Sequence, residues 1–258
     1  METYIPNKIG VGITTYETPH YLDALYDSIP HDKIDELVIV NGGSPYERHY
    51  DKADMIQHCS NHYPSVCRND AAHYLKRRGC EHIFLIEDDM VIKDETIFDQ
   101  YILAANTTNL CYLCFASTSW HSGEPGNRTP AAVIEYNEDV SIALYPNMCN
   151  EFTYHHYDTF QPYDEEFRYI FDIDSAYRYS QLNMRAGAPF WWFADLPNSD
   201  DLIMNNPETE SRINAGGARD DNLKPEWIRF AEKHGKPLND IEKFDIDKVK
   251  SHLKKIAQ

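Results

Sequence analysis

Short continuous apolar runs along the chain alternate with segments whose apolar residues recur at every third or fourth position. The runs are typical of strands buried on both faces of a mainly parallel sheet, and the spaced residues are typical of amphipathic helices. Strands are predicted at 8–15, 36–40 and 83–86. Because a helical segment separates the first two, they form a strand–helix–strand unit, which is right-handed by the crossover rule. The pattern predicts an α/β fold.

Capping residues and helical spacing predict the helices. Thr18 can cap the first helix, and Pro19 suits its first position, where no backbone N–H is needed. The other predicted helices cover about 51–62, 69–78, 94–106, 225–234 and 249–256. A strand is expected at 110–117 and paired strands within 131–145. Residues 214–221 are a flexible polar stretch, either a linker or a lid over a bound ligand, whose negative charge Arg212 and Arg219 would then neutralise.

Three consecutive acids, Glu87, Asp88 and Asp89, directly follow the strand at 83–86. Ligands of open α/β sheets bind at the carboxyl ends of the strands, so the acids lie at the edge where a ligand is expected. Crowded carboxylates repel one another unless a cation or a proton compensates. Oxygen ligands at this density suit Mg²⁺ or Mn²⁺ rather than Zn²⁺. The alternative is an acidic strand exit exposed to water, and the triplet alone does not decide between the two.

Composition and charge narrow the class of protein. With 258 residues, 42% of them hydrophobic and 13% aromatic, the chain can bury a large core and is not disordered overall. The net charge of −18 argues against broad nucleic-acid binding, which depends on Lys and Arg, but leaves room for a local basic groove. No apolar run reaches about 18 residues and no signal-peptide pattern opens the chain, so we expect a cytoplasmic protein without a membrane span. The six cysteines, including the Cys111–Cys114 pair, are predicted to be reduced thiols, with that pair in the core.

Four segments, in this order along the chain, resemble the nucleotide-sugar half of a GT-A glycosyltransferase of the inverting, family-two type. They are Val11-Gly12-Ile13-Thr14-Thr15-Tyr16, Val38-Ile39-Val40-Asn41-Gly42-Gly43, Arg68-Asn69-Asp70-Ala71-Ala72 and Phe84-Leu85-Ile86-Glu87-Asp88-Asp89. The resemblance implies a GT-A (Rossmann-like), mainly parallel sheet flanked by helices, with a small helical carboxyl-terminal appendage. It implies a glycosyltransferase domain over 1–204, divided near residue 92 into nucleotide-sugar and acceptor halves, followed by a flexible segment and helices over 205–258.

The same resemblance implies a donor site. Glu87-Asp88-Asp89 stands where the family has Asp-x-Asp, so Asp89 and Glu87 are the predicted ligands of Mn²⁺ or Mg²⁺, and Asp88 is predicted to contact the sugar or ribose. Asn41 replaces the aspartate that usually ends the second strand. The residues predicted to hold the nucleotide are Thr14, Thr15, Tyr16, Glu17, Asn41, Arg68 and Asp88. The family's late metal-binding His has no counterpart between His156 and His234, and Asp195, Asn198, Asp200, Asp201 or water could replace it.

An acceptor side is implied further along the chain. The segments at 160–167 and 171–178, followed by Gly187, are similar to the family's acceptor helix, with Asp172 at the position of the catalytic base and Asp174 in reserve. The alternative, without a catalytic role, is that both acids cap the amino terminus of a helix. The residues proposed to contact the acceptor are Trp120, His121, Trp191 and Arg178, and Trp192 is a further stacking candidate. For the Trp191–Trp192 pair, burial in the core is the alternative.

These observations predict a metal-dependent glycosyltransferase that moves a sugar from a nucleotide-sugar donor, with a UDP-sugar favoured, to a hydroxyl acceptor. The acceptor could be a glycan, a small molecule or a modified DNA base. Two alternatives remain open: a DNA-modifying glycosyltransferase acting on a hydroxylated base, and a non-catalytic nucleotide- or sugar-binding protein with this fold. A nucleotidyltransferase is disfavoured because no glycine-rich basic loop follows the first strand. Retaining chemistry also remains open.

Overall fold

A six-stranded mixed sheet forms the centre of the molecule, in the order β3-β2-β1-β4-β9-β6. The computed structural model describes residues 4–58, 62–115, 129–145, 151–168, 170–184, 193–208, 219–237 and 246–257. The strands are β1 (Ile5–Thr15), β2 (Glu36–Asn41), β3 (Asp54–Gln57), β4 (Cys80–Glu87), β5 (Met90–Ile92), β6 (Tyr112–Cys114), β7 (Ala132–Glu135), β8 (Ser141–Tyr145), β9 (Phe152–His156), β10 (Phe193–Asp195) and β11 (Ile203–Asn205). Strands β1 to β4 are parallel, and β9 runs antiparallel to β4 and β6. The predicted mainly parallel α/β sheet is confirmed.

Helices cover both faces of this sheet. They are α1 (Pro19–Ser28), α2 (Pro64–Arg77), α3 (Ile97–Thr108), α4 (Phe171–Met184), α5 (Ser199–Leu202), α6 (Arg219–His234) and α7 (Ile246–Ile256), with a 3-10 turn at Tyr157–Thr159. One apolar cluster joins the sheet to α1, α3 and α7, and a second joins it to α2, α4 and α6. Two smaller sheets, β10-β8-β7 and β11-β5, lie beside the main one.

The register of the parallel strands brings their carboxyl ends together. Thr15 of β1 pairs with Asn41 of β2, and Thr14 pairs with Glu87 of β4. Helix α2 packs closely against β1, since a Cβ added to Gly12 would lie 2.7 Å from the Cβ of Ala71. Because β1 has no side chain at this point, the helix can approach the sheet and open its first turn towards the same edge.

Several predicted elements differ from the structure. The helix expected over 51–62 is wrong, because residues 54–57 form β3. This edge strand completes its backbone hydrogen bonds against β2, a long-range pairing that outweighs local helix preference. Helix α2 begins at Pro64, not at 69. Of the strand expected at 110–117, residues 112–114 form β6, and residues 116 and 117 lie outside the described residues. Helix α6 begins at Arg219, so the predicted flexible stretch does not include 219–221.

The described cysteines agree with the prediction of reduced thiols: Cys67, Cys80, Cys111 and Cys114 form no disulfide within the described part of the chain. Cys114 is buried on β6 and Cys111 is partly buried beside it, which suits a core position. Cys59 and Cys149 lie outside the described residues. Within the described ranges, no helix has the length and apolar character needed to cross a membrane.

Candidate functional site

A cavity of about 340 Å³ opens at the edge where the carboxyl ends of β1 and β4 meet the first turn of α2. Its lining residues are Thr14, Thr15, Tyr16, Thr18, His62, Tyr63, Pro64, Cys67, Glu87, Asp88 and Asp89. The structure thus brings the acidic triplet and the residues after β1 to one cavity. The wall formed by 62–67 was missed because the predicted helix started too late, although Pro64 suits a first helical position and was the available signal.

Asp88 joins the two strand ends. Its Oδ2 accepts a hydrogen bond of 2.5 Å from Oγ1 of Thr15 and another from Oγ1 of Thr18, and its backbone N–H donates to the carbonyl of Thr14 at 3.2 Å. The hydroxyl of Tyr46 lies 2.8 Å from Oγ1 of Thr15. Asp88 therefore holds the loop after β1 against the acidic turn.

Glu87 is held by a buried arginine. Nη2 of Arg68 donates to Oε1 of Glu87 at 2.9 Å, and Nη1 of Arg68 donates to the hydroxyl of Tyr163 at 3.3 Å. The Arg68 side chain is fully buried and its guanidinium lies over the rings of Tyr163 and Phe171, at 5.6 and 5.9 Å from their centroids. Arg68, predicted to contact the nucleotide, thus lies behind Glu87 and orients this carboxylate.

Asp89 carries an unsatisfied carboxylate oxygen. Its Oδ1 is buried and has no hydrogen-bond partner among the described residues. Burial and the charges of Glu87, Glu151 and Asp88 raise the pKa of Asp89 to about 9. A divalent cation would relieve both the missing partner and the repulsion, so Glu87 and Asp89 fit such an ion. No set of three or more His, Cys, Asp or Glu side chains in the described part of the chain is arranged to hold a metal, so water and ligand oxygens would supply the other positions.

Glu151 is a fourth acid at this edge and was not predicted. Its carbonyl accepts a hydrogen bond of 2.7 Å from the backbone N–H of Glu87, and its Oε2 accepts one of 2.7 Å from Nδ2 of Asn205. It directly precedes β9, whose antiparallel direction puts its amino end beside the carboxyl end of β4. The signal was an acid before Phe152, Thr153 and Tyr154, residue types that favour strands.

The loops after β1 and β2 are bound to each other. Oε1 of Glu17 accepts from the backbone N–H and the hydroxyl of Ser44, at 2.7 and 2.8 Å, and these bonds lower the pKa of Glu17. Nδ2 of Asn41 donates to the carbonyl of Ser44 at 2.8 Å, and its Oδ1 accepts from the N–H of Gly43 at 2.8 Å. Glu17 and Asn41, both predicted to hold the nucleotide, are not among the residues that line the cavity and instead hold the two loops together. Tyr16 is 44% exposed and lines the cavity.

The two predicted acids of α4 have different surroundings. Asp172 is partly exposed, and its pKa is raised to about 6, chiefly by burial against the protein and further by the charge of Glu87, while the N–H of Ile173 and the charge of Arg68 oppose the rise. Asp172 is not among the residues that line the cavity, and Glu87 is the member of the acidic triplet whose charge acts on its pKa.

Asp174, by contrast, is fully buried and contacts three basic side chains. Its carboxylate is 2.8 Å from Nζ of Lys233, 2.8 Å from Nε2 of His234 and 3.0 Å from Nε of Arg178. Burial raises its pKa, but the bonds from His234 and Lys233 outweigh this and leave the pKa lowered. Of the two acids, only Asp172 is left available to accept a proton from a ligand.

The remaining residues predicted to contact the acceptor or to complete the metal site are either bonded within the protein, away from the cavity lining or outside the described residues. Arg178 donates to Asp174, to Oε1 of Gln161 at 3.1 Å and to the carbonyl of Pro162 at 2.9 Å, so its predicted contact with an acceptor competes with three internal bonds. Trp120, His121, Trp191, Trp192 and Arg212 lie outside the described residues. The candidate substitutes for a third metal ligand, Asp195, Asn198, Asp200 and Asp201, are not among the residues that line the cavity, and Asp195 accepts bonds from Tyr101 and Ser199.

Comparison by sequence finds no family model that matches the chain and no curated protein that matches it. Comparison by structure finds TarS from S. aureus, residues 1–349, with a TM-score of 0.52 and 15% identity over 77% of this chain and 60% of TarS. The same TarS fragment in complex with UDP matches with a TM-score of 0.50 and 16% identity, over 73% of this chain and 57% of that one.

A second similar structure is the mannosyltransferase PcManGT from Pyrobaculum calidifontis in complex with GDP-Man and Mn²⁺. It matches with a TM-score of 0.52 and 14% identity, over 81% of this chain and 59% of PcManGT. The chain therefore spans about 60% of the length of these matched structures. At this identity the likeness concerns the fold, and the chain has the GT-A-like fold of these glycosyltransferases.

Proposed function

We propose that this chain is a metal-dependent glycosyltransferase that moves a sugar from a nucleotide-sugar donor to a hydroxyl acceptor. The observation that carries the proposal is the buried Oδ1 of Asp89, which has no hydrogen-bond partner among the described residues and lies at the wall of the 340 Å³ cavity, beside the carboxylates of Glu87 and Asp88. A divalent cation would stabilise these crowded carboxylates. Because the protein would supply only part of its coordination, the cation would need further oxygen ligands, which a nucleoside diphosphate provides.

Two observations support a nucleotide-sugar as the donor. The fold is shared with TarS, which has been solved with UDP, and with PcManGT, which has been solved with GDP-Man and Mn²⁺. In this chain, Thr14, Thr15 and Tyr16 border the cavity on the side where the base and ribose would lie. We favour a UDP-sugar, with Mn²⁺ or Mg²⁺ as the cation.

The proposed chemistry uses three groups of this chain. Glu87 and Asp89 would hold the cation, which when bound supplies Lewis-acid stabilisation of the diphosphate leaving group. Arg68 keeps the carboxylate of Glu87 oriented towards the site. Asp172 accepts the proton of the acceptor hydroxyl as general base, for which a pKa of about 6 leaves it ionised at neutral pH. A base on the acceptor side corresponds to an inverting reaction.

The proposed organisation follows the predicted division, with the transferase domain over 1–204 and the carboxyl-terminal helices over 205–258. These helices are not separate in packing, because Phe230 of α6 and Val249 of α7 each belong to an apolar cluster of the main sheet. The carboxyl-terminal helices are therefore an appendage that packs against the transferase domain.

A panel of nucleoside diphosphates tests the donor site. The melting temperature is measured with UDP, GDP, CDP, ADP and TDP, each with and without Mn²⁺, and a ligand at 100 times its Kd adds about 2.7 kcal/mol of stability. We expect one diphosphate to raise the melting temperature only when Mn²⁺ is present. The shift should vanish in Asp89→Asn and persist in Asp32→Asn, a control at an exposed position.

The reaction itself is tested by release of the nucleoside diphosphate from the matching nucleotide-sugar. Turnover that is lost in Asp172→Asn while Mn²⁺-dependent donor binding persists supports the enzyme. Binding without turnover in the wild-type protein would favour the non-catalytic binding protein, and the absence of any nucleotide-dependent shift would refute the donor site.

A further inference from the structure

A buried glutamate on helix α6 binds the backbone that leads into α4. Glu226 is 8% exposed, and its Oε1 accepts the N–H of Arg168 at 2.8 Å while its Oε2 accepts the N–H of Ile170 at 2.9 Å. The carbonyl of Ile170 in turn accepts the N–H of Asp174 at 3.0 Å, which is a bond of the first turn of α4. Glu226 is therefore connected through Ile170 to the turn that carries Asp172.

The same helix binds the other side of this turn. Lys233 and His234 both contact the carboxylate of Asp174, at 2.8 Å each. Between these polar contacts, Phe230 is fully buried in the apolar cluster that includes Phe171. Helix α6 thus binds the residue two positions before Asp172 and the residue two positions after it.

The choice of a carboxylate at position 226 needs a physical reason. Burying a charge is costly unless its oxygens are hydrogen-bonded, and an apolar side chain would be the cheaper filling for this cluster. Each of the two N–H groups has its own acceptor oxygen in this structure, and a carboxylate offers two such oxygens whereas an amide of the same size offers one. The negative charge also lies at the amino-terminal end of α4, where the helix dipole stabilises it. The arrangement suits control of backbone position rather than packing.

We propose that Glu226 is a positioning residue for the reaction, and that it acts by fixing the first turn of α4 so that the Asp172 carboxylate faces the acceptor. This inference rests on the proposed role of Asp172 as general base. A base that is displaced by about 1 Å can lose on the order of 100-fold in rate, so a contact far from the chemistry can still control turnover.

The test compares Glu226→Gln with Glu232→Gln, which removes a charge from an exposed position of the same helix. For Glu226→Gln we expect kcat for nucleoside diphosphate release from the UDP-sugar to fall about 10- to 100-fold. The donor KM and the Mn²⁺-dependent UDP shift should stay at wild-type values. Glu232→Gln should match the wild type in all three quantities.

Two further proteins, Glu226→Asp and the double variant Asp172→Asn/Glu226→Gln, distinguish a positioning role of Glu226 from a packing role. Glu226→Asp keeps both acceptor oxygens on a shorter side chain, whereas Glu226→Gln keeps the size and loses one acceptor. If Glu226 acts by positioning, Glu226→Asp should retain a higher kcat than Glu226→Gln. If it acts by packing, Glu226→Gln should retain the higher kcat. In an Asp172→Asn background, Glu226→Gln should cause no further loss of kcat, because the group that it positions is already absent.

Hydrogen exchange gives a readout that does not depend on turnover. We expect Glu226→Gln to accelerate exchange of the Arg168 and Ile170 amides and of the first turn of α4, with no such change in Glu232→Gln. If the wild-type protein releases no nucleoside diphosphate, the proposed function fails, and the exchange result alone decides whether Glu226 positions this turn. The inference is overturned if exchange is unchanged, or if kcat, donor KM and melting temperature all change together.

Discussion

Arg68 donates a hydrogen bond of 2.9 Å from Nη2 to Oε1 of Glu87, and the two partners differ sharply in burial: the Arg68 side chain is fully buried, whereas that of Glu87 is 31% exposed. If the bond is broken, Glu87 can turn to water, but the guanidinium of Arg68 cannot. Because an uncompensated buried charge is the costly outcome, the consequences of breaking this ion pair depend on which partner is removed.

The asymmetry predicts unequal losses of stability. Glu87→Gln leaves the buried guanidinium without its carboxylate and should lower the free energy of unfolding by about 3 kcal/mol or more. Arg68→Met removes the buried charge and keeps most of the volume, so about 1–2 kcal/mol is expected from the lost charged hydrogen bonds. Urea titrations at pH 7 without metal measure both values. Equal losses, or the reverse order, would contradict the account.

Asp89→Asn should separate metal binding from folding. The pKa of Asp89 is about 9 in the folded protein and about 4 in an unfolded chain, so between these values the folded state holds a proton that the unfolded state lacks. This group therefore makes the metal-free protein less stable as the pH rises from about 4 to 9. Asp89→Asn removes that dependence and should be at least as stable as the wild type at pH 7.

The same variant should lose the additional stability that Mn²⁺ and a nucleoside diphosphate provide to the wild type. Melting temperatures over a pH series, with and without Mn²⁺, measure both effects, and Asp32→Asn is the matched control at an exposed position. A loss of metal-free stability at pH 7 in Asp89→Asn would show that the carboxylate is satisfied inside the protein.

The raised pKa of Asp172 leads us to expect that turnover depends on pH. A general base must be ionised, so kcat should fall below about pH 6, tenfold per unit, as the Asp172 carboxylate becomes protonated. The charge of Glu87 raises the pKa of Asp172, and Mn²⁺ bound at Glu87 would offset that charge. The fall in kcat should therefore occur at a lower pH with saturating Mn²⁺ than with low Mn²⁺. Asp172→Asn should lower kcat by about 10²–10⁴ with donor binding intact. A wild-type kcat in this variant would exclude Asp172 as the base.

Asp174 should behave as a structural acid. Its pKa is lowered in the folded state, so its pairs stabilise the protein above the unfolded value of about 4, and this stability is lost as the pH falls through the folded value. Asp174→Asn should cost about 3 kcal/mol, because Lys233 and His234 lose a buried partner. Denaturation of Asp172→Asn is the comparison, and no similar loss is expected there. Full stability of Asp174→Asn together with lost turnover would instead favour Asp174 as the base.

The sequence by itself determined the features that depend on short-range pattern. Apolar runs predicted β1, β2 and β4, and the acids that follow the run at 83–86 predicted a charged edge at their carboxyl ends. The resemblance to the family placed the acids at 172 and 174 at the start of a helix, and α4 begins at Phe171. The strands and the charged edge follow from residue periodicity and strand direction, which a window of about ten residues already contains.

Only the tertiary structure decided the features that depend on distant partners. Residues 54–57 form a strand because β2 offers them an edge, and Glu151 joins the acidic site because β9 runs antiparallel to β4. Asp172 and Asp174 look alike in sequence, yet they differ because Lys233 and His234, about 60 residues further along the chain, bind only the second. Charge pairing and burial are set by where the folded chain brings remote groups together, and no local pattern encodes that distance.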